Sequence, residues 1–307
     1  MTSTVQFARR RMLLGVGLLA ATSLTVAACG SSELPGSTDS STSSSSSASV
    51  EADPVLVQAL PEKVAQAGKI VVGTDATYAP NEFLAEDGTT IQGMDIDIFN
   101  AVAAQFGVEV EYQAASFDSI ILGVSSGKYD VGVSSFTIND ERKQQVNMVS
   151  YFSAGTQWVT AAGNPKNVNP DEACGLNIAV QKGTVQVDDL QARSTACTDA
   201  GNSAINQIVE QDQAKVTADV VSGKADAMLA DSPIGLYAVK QTDGQLEAVG
   251  EIYDSAPYGF VVPKDQIEFA DAMVTALQNA DSDGSYSSAL EKWGNESGAV
   301  TEFAVNP

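Results

Sequence analysis

The chain has 307 residues, with 39 acidic against 16 basic side chains, no histidine and a formal net charge of −23. Such a surface repels phosphate backbones and anionic lipid headgroups, which excludes nucleic acid and a charged membrane face as partners. The lack of histidine and the total of 3 cysteines argue against a metal site, and no cofactor is expected.

The first 28 residues read as a secretory signal. Arg9, Arg10 and Arg11 precede an uncharged, mostly apolar run from Met12 to Ala28, the order of an exported leader rather than of a membrane span. The ending Val26-Ala27-Ala28-Cys29 resembles a bacterial lipobox, which makes Cys29 the lipidated first residue of the mature chain. Removing the leader takes away three arginines and no acid, leaving 13 basic and 39 acidic residues, a net −26. From Gly30 to Asp53 serine dominates, unbroken from Ser43 to Ser47. Little there is apolar, so a disordered linker is expected, reaching about 25–30 Å as a flexible tether.

From Lys69 onward strands and helices alternate. Lys69–Thr74 predicts a strand, with the loop Asp75–Pro80 behind it. Asp95 is placed to cap a helix whose face carries Ile98, Val102 and Phe106, and Gly107 ends it. Val108–Tyr112 reads as a strand, Phe117–Ser126 as a helix and Asp130–Val133 as a strand. The grammar repeats later. Ile178–Val180 is a strand, Gly183-Thr184 opens a helix, Ala204–Val209 is a strand, Ala214–Ser222 a helix and Ala225–Ala230 a strand. Ser126-Gly127-Lys128-Tyr129-Asp130 and Ser222-Gly223-Lys224-Ala225-Asp226 echo one another at helix-to-strand junctions. Tyr258–Val262 adds a strand, and Asp265–Ala280 and Ser285–Trp293 two helices. The pattern predicts an α/β fold built twice over. If Cys29 carries lipid, Cys174 and Cys197 are left as a pair in an exported protein, and a disulfide is their expected state.

In such sheets ligands collect beyond the carboxyl ends of strands. Asp75–Pro80, Ser134–Thr137, the helix start at Thr184 and Asp231 all fall there. Outside the leader the chain has two arginines, Arg142 and Arg193, and Arg142 stands just behind Ser134, Ser135 and Thr137. Its guanidinium matches a carboxylate with two parallel hydrogen bonds, and Asp231 offers the opposite charge. Together they fit the two ends of a free amino acid, with Tyr78 and Phe117 flanking its side chain. Taken singly, each residue also has a plainer role: Arg142 as a solvated helix charge, Asp231 as a helix cap, the serines as turn residues, the rings as core.

The segments "VGTDATYAP", "GMDIDIFNAVA", "SGKYDVGVSSFTINDERKQQV", "AVQKGTVQ", "GKADAMLAD" and "DGSYSSALEKWG" occur in an order and spacing that resembles the extracytoplasmic solute-binding proteins of polar amino acid ABC importers, from about Gly68 to Gly294. The resemblance implies two α/β lobes, each a mixed sheet flanked by helices. Lobe 1 would comprise 54–156 and 258–307, and lobe 2 would comprise 157–257. Two hinge crossovers are expected, near Gln157–Ala162 and Glu251–Pro257. It also implies a ligand set. Tyr78 and Phe117 would flank the side chain, and Ser134, Ser135, Thr137 and Arg142 would hold the α-groups with help from Thr184. Asp231 would hold the ammonium, Gln186 would sit at the helix start, and Asp75 and Gln181 would meet a polar side-chain tip. Asn81 and Val185 depart from residues many relatives carry, which leaves the side-chain pocket less defined than the α-group clamps. Asp75 and Glu82 would suit a cationic tip, Gln181 an amide.

The implied function is capture of a polar, neutral or basic L-amino acid and delivery to an ABC permease. The implied setting is a lipid-anchored monomer on the outer face of a Gram-positive, actinobacterial membrane, held there by the lipid alone. A cyclohexadienyl dehydratase-like lyase and a ligand-sensing receptor are the rival functions on this fold.

Overall fold

The computed structural model describes residues 52–307. The expected signal peptide, the lipid site at Cys29 and the serine tract up to residue 51 lie outside the described residues. Asp53, the last residue of the expected linker, is already anchored: its side chain caps the helix Pro54–Gln58 by accepting from the Val55 N–H, and its own N–H donates to the Gln105 carbonyl.

An eight-stranded mixed sheet runs through the described residues in the order Glu109–Ala114, Lys69–Thr74, Val131–Gly132, Leu246–Pro263, Val146–Ala161, Ala227–Asp231, Asn177–Gln181, Asn206–Glu210. Its two middle strands are long, 18 and 16 residues, and pair antiparallel from Val146 opposite Pro263 to Ala161 opposite Leu246. Parallel strands flank them on each side: Lys69–Thr74 between its two neighbours in one half, Asn177–Gln181 between Ala227–Asp231 and Asn206–Glu210 in the other. Each half has its own core. One packs Ile70, Phe99, Val102, Phe260, Phe269 and Leu277 beneath the helices Met94–Phe106 and Ile267–Ser282. The other packs Trp158, Ile178, Val180, Leu190 and Leu229 against Val185–Asp199. Two cores joined through two strands make the molecule two-lobed.

The crossovers are not loops. Gln157–Ala161 and Glu251–Pro257 lie within the two long strands, whose pairing slips between Val249 and Tyr253, between Tyr253 and Ala256, and between Tyr258 and Gly259. Val146–Ala161 is buried on both faces almost throughout, so it lacks the apolar–polar alternation that reveals a half-buried strand. Asp95 is also reassigned. The residue before the helix is Gly93, at φ 144, where a Cβ would stand 2.1 Å from the Asn81 carbonyl oxygen, so only glycine fits. Asp95 enters the first turn and turns its carboxylate inward.

Cys174 and Cys197 are joined, with Cα atoms 5.6 Å apart at a sequence separation of 23. Loop-closure entropy for that span predicts a loss of about 3 kcal/mol when both are replaced by serine, measurable as a lower denaturation midpoint with a steeper slope, because the released unfolded chain exposes more surface. No helix among the described residues is long and apolar enough to cross a membrane.

Candidate ligand-binding site

The carboxyl ends of the parallel strands from both lobes converge on one small cavity. It is lined by Tyr78, Phe117, Ser135, Thr137, Arg142, Thr184, Val185, Gln186 and Asp231. Eight of these are residues expected to meet the ligand, and the ninth, Val185, is one of the two departures from the relatives' pattern noted in the sequence.

Arg142 belongs to the helix Asp140–Gln145, whose start is fixed by the Asn139 side chain accepting from the Arg142 N–H at 2.9 Å. Its side chain is buried, with Nη1 donating to the Thr137 carbonyl at 2.7 Å and Nη2 to the Gly183 carbonyl at 3.1 Å. Phe117 and Phe136 stack 4.7 Å apart, and the guanidinium carbon lies 5.5 and 5.7 Å from their centroids. Two aromatic faces and two carbonyls therefore hold a cation in a dry place. Burial pulls its pKa below the ordinary value, and the charge of Asp231 pulls the other way.

Asp231 comes from the opposite lobe. It stands at the N-cap position of the helix Ser232–Gln241 but makes no side-chain cap. Instead its carboxylate accepts from the Tyr78 hydroxyl at 2.9 Å and from Gln186 Nε2 at 2.7 Å. Burial pushes its pKa up, opposed by the hydrogen bonds from Tyr78 and Gln186 and by the charge of Arg142. Thr184, at the N-cap position of Val185–Asp199, spends its hydroxyl on the Gln181 carbonyl at 2.8 Å. The helix start therefore has no side-chain cap, and Thr184, Val185 and Gln186 all line the cavity.

Three expected residues stand behind the lining. Ser134 Oγ accepts from the Asp75 N–H at 3.0 Å and donates to Glu82 Oε1 at 2.9 Å. Asp75 accepts from Thr77, from the Phe117 N–H at 3.1 Å and, across the lobes, from Gln181 Nε2 at 2.8 Å. Its pKa is raised, chiefly by burial. Gln181 Oε1 is buried without a hydrogen-bond partner among the described residues. Glu82, expected to meet a cationic tip, is placed elsewhere: it is buried against Ser134 and Ser135 beside Asp95. Phe136, which backs Arg142 from the loop before its helix, and Tyr258, whose ring is buried near Asp231, were not singled out in the sequence, because a buried aromatic looks like any core residue.

The lobes touch at further points. Lys182 pairs with Asp118 at 2.8 Å, Gln211 Nε2 donates to Asp118 at 2.7 Å, and the Gln213 N–H donates to Thr77 Oγ1 at 3.1 Å. The approach is tightest at Gly183, at φ +81, where a Cβ would lie 2.8 Å from that of Asp118. Alanine there adds about 1–2 kcal/mol of left-handed strain and pushes the lobes apart. Gly183→Ala is expected to favour the open form, read as a larger radius of gyration with saturating ligand and a faster dissociation rate.

Two α/β lobes joined by paired strands, with a buried charged cavity between them, define a hinged binding protein. The chain belongs to the bacterial extracellular solute-binding proteins, family 3, whose model matches residues 70–296. It is 33% identical over 301 residues to the arginine-binding protein ArgT of Corynebacterium glutamicum, covering 97% of this chain and 96% of that one. Among solved structures, an ancestral arginine-binding protein bound to glutamine superposes with a TM-score of 0.68 at 32% identity, over 75% of this chain and 99% of that one. An ancestral amino acid-binding protein, a precursor of cyclohexadienyl dehydratase, superposes with a TM-score of 0.68 at 30% identity, over 75% and 97%. The family is one of solute binders, and membership in it disfavours the lyase reading.

Proposed function

We propose that the chain captures a free L-amino acid with a nitrogen-bearing side chain, L-arginine before L-glutamine, and presents it in the closed form to an ABC permease. One observation carries this reading: Arg142 and Asp231, from opposite lobes, line a single buried cavity. Of the five guanidinium N–H donors, the two nitrogens Nη1 and Nη2 each spend one on a backbone carbonyl, so donors remain for an α-carboxylate. Asp231 accepts two hydrogen bonds, and a carboxylate has room for about four, which leaves sites for an α-ammonium. A ligand touching both lobes gains contacts that the open form lacks, so binding shifts the population toward closure.

The tip assignment rests on Asp75 and Gln181. Both are buried acceptors joined across the cleft behind Phe117, and Gln181 Oε1 is free to take an N–H. Arginine and glutamine each end in such donors, and the similar proteins include an arginine-binding protein and an ancestral one bound to glutamine. Asp75 and Gln181 would reach the ligand past Phe117, whereas Ser134 acts through its neighbour.

The remaining features complete the reading. Lobe 1 comprises 54–156 and 258–307, and lobe 2 comprises 157–257, the long strands serving as hinges. Cys29 carries a lipid, the serine tract is the tether, and a monomer works on the outer face of a Gram-positive membrane. Calorimetry against the twenty amino acids tests the core of this. Arginine is expected to bind most tightly, with glutamine next and glutamate and aspartate not at all. Preference for an acidic amino acid, or no binding, would overturn it.

A further inference from the structure

Beneath Ser134 and Ser135 two carboxyl groups are buried together. Glu82 lies in the short strand Glu82–Leu84 and Asp95 in the first turn of Met94–Phe106, and both have 0% exposure. Asp95 Oδ2 receives three donors: the Ser135 N–H at 2.8 Å, the Ser135 hydroxyl at 3.1 Å and the Tyr151 hydroxyl at 2.5 Å. Glu82 Oε1 receives the Ser134 hydroxyl at 2.9 Å, and Oε2 lies 3.4 Å from Ser135 Oγ, which itself accepts from Asn81 Nδ2 at 2.9 Å. Asp95 Oδ1 has no partner among the described residues. The titratable groups facing the pair are Asp75 and Tyr78 toward Glu82, and Tyr151 and Tyr112 toward Asp95. Among the described residues no lysine or arginine forms an ion pair with either carboxyl.

Two carboxylates without a cation cannot both stay ionised in so dry a place. A buried acceptor such as Asp95 Oδ1 also needs a donor. One proton on Glu82, directed at Asp95, answers both requirements. Its consequence reaches the cavity through Ser135. That residue lines the cavity at φ 50, a left-handed backbone that costs a non-glycine residue free energy and persists only where neighbours hold it. What holds it is Asp95, which takes both its N–H and its hydroxyl. Tyr151, stacked 4.0 Å from Phe260, ties the arrangement to the lobe 1 core.

We propose that Glu82 and Asp95 act as one positioning unit, a neutral acid and a carboxylate sharing a proton, which holds Ser135 in the left-handed turn from which it meets the ligand. The ligand readout of this proposal rests on the cleft being an amino acid site; the proton readout does not. Burial, and then the charge of Asp95, raises the Glu82 pKa well above the glutamate range, and burial pushes Asp95 up to about 6. The sign follows. A carboxyl whose folded value is raised stabilises the fold fully below its ordinary titration range, and loses that contribution as pH rises through the folded value. The unit therefore weakens toward alkaline pH.

The test compares wild type, Glu82→Gln and Asp95→Asn between about pH 5 and 9, a window that opens just above the ordinary carboxyl range. Ligand-free melting temperature and L-arginine affinity are measured for each. Glutamine supplies the N–H permanently, so Glu82→Gln is expected to bind within about threefold of wild type near pH 6 and to lose less stability and affinity as pH rises. Asp95→Asn presents N–H groups to donors and is expected to weaken binding by about tenfold or more. A carboxylic-acid C=O band should be present in the infrared spectrum of wild type and missing in Glu82→Gln. Parallel pH profiles for wild type and Glu82→Gln, an unchanged infrared band, or a tolerated Asp95→Asn beside a damaging Glu82→Gln would overturn the proposal. Should Asp95→Asn not fold, the Glu82→Gln profile and the band still decide it. Should wild type bind no amino acid, the transport reading fails, while the ligand-free profiles still decide the carboxyl pair.

Discussion

Arg142→Ala is expected to weaken amino acid binding by about 2–5 kcal/mol, the cost of truncating one partner of a buried charge pair. The substitution removes the donors left for the α-carboxylate and the bridge from lobe 1 to the Gly183 carbonyl, so affinity and closure fall together. It also leaves a gap between Phe117, Phe136 and Thr137 that a ligand carboxylate would enter unpaired. Lysine is not a conservative replacement here. An ammonium cannot donate to two carbonyls and a carboxylate in one plane, nor lie flat on the stacked rings. Arg142→Lys should therefore stay well below wild type in titration calorimetry. Near wild-type affinity for Arg142→Ala would remove the clamp.

Asp231→Asn is expected to show opposite signs in two measurements. Binding should weaken by about 2–4 kcal/mol because the α-ammonium loses its counter-charge in a desolvated site. The ligand-free protein should melt higher at neutral pH. The raised pKa of Asp231, caused mainly by burial, means that its ionised form opposes folding above the ordinary aspartate range. Asparagine removes that charge while its amide oxygen keeps an acceptor for Tyr78 or Gln186. A stabilised protein that no longer binds is what a site built at the expense of stability predicts. A lower melting temperature with intact binding would show that Asp231 is a structural residue.

Much of this was legible in the sequence, for physical reasons that can be named. Gly107 closes its helix in the left-handed conformation at φ 67, and short parallel strands such as Lys69–Thr74 and Ala227–Asp231 are dense in β-branched or apolar residues. Arg142 could be picked out because few arginines occur in a strongly acidic chain, and Asp231 because it stands at the carboxyl end of a short apolar strand. Of the long strands only Tyr258–Val262 was legible, since burial on both faces erases alternation in Val146–Ala161 and bulges interrupt the rest of Leu246–Pro263. The helix Ser232–Gln241 entered the sequence reading only through the plainer role of Asp231 as its cap, with Pro233 near its start as the opening signal. The buried carboxyl pair was hidden for a deeper reason. Nothing local in "NEF" or "GMDID" says that Glu82 and Asp95 share a site, because the residues that bury them, Ser135 and Tyr151, lie far along the chain.

The most direct measurement is a crystal structure of the protein with L-arginine. The expected result has the ligand carboxylate within hydrogen-bonding distance of Arg142, its ammonium on Asp231 and its guanidinium directed toward Asp75 and Gln181. A ligand seated outside the cavity, or one lying there with Arg142 and Asp231 turned away from it, would contradict a two-lobed clamp on a dipolar solute.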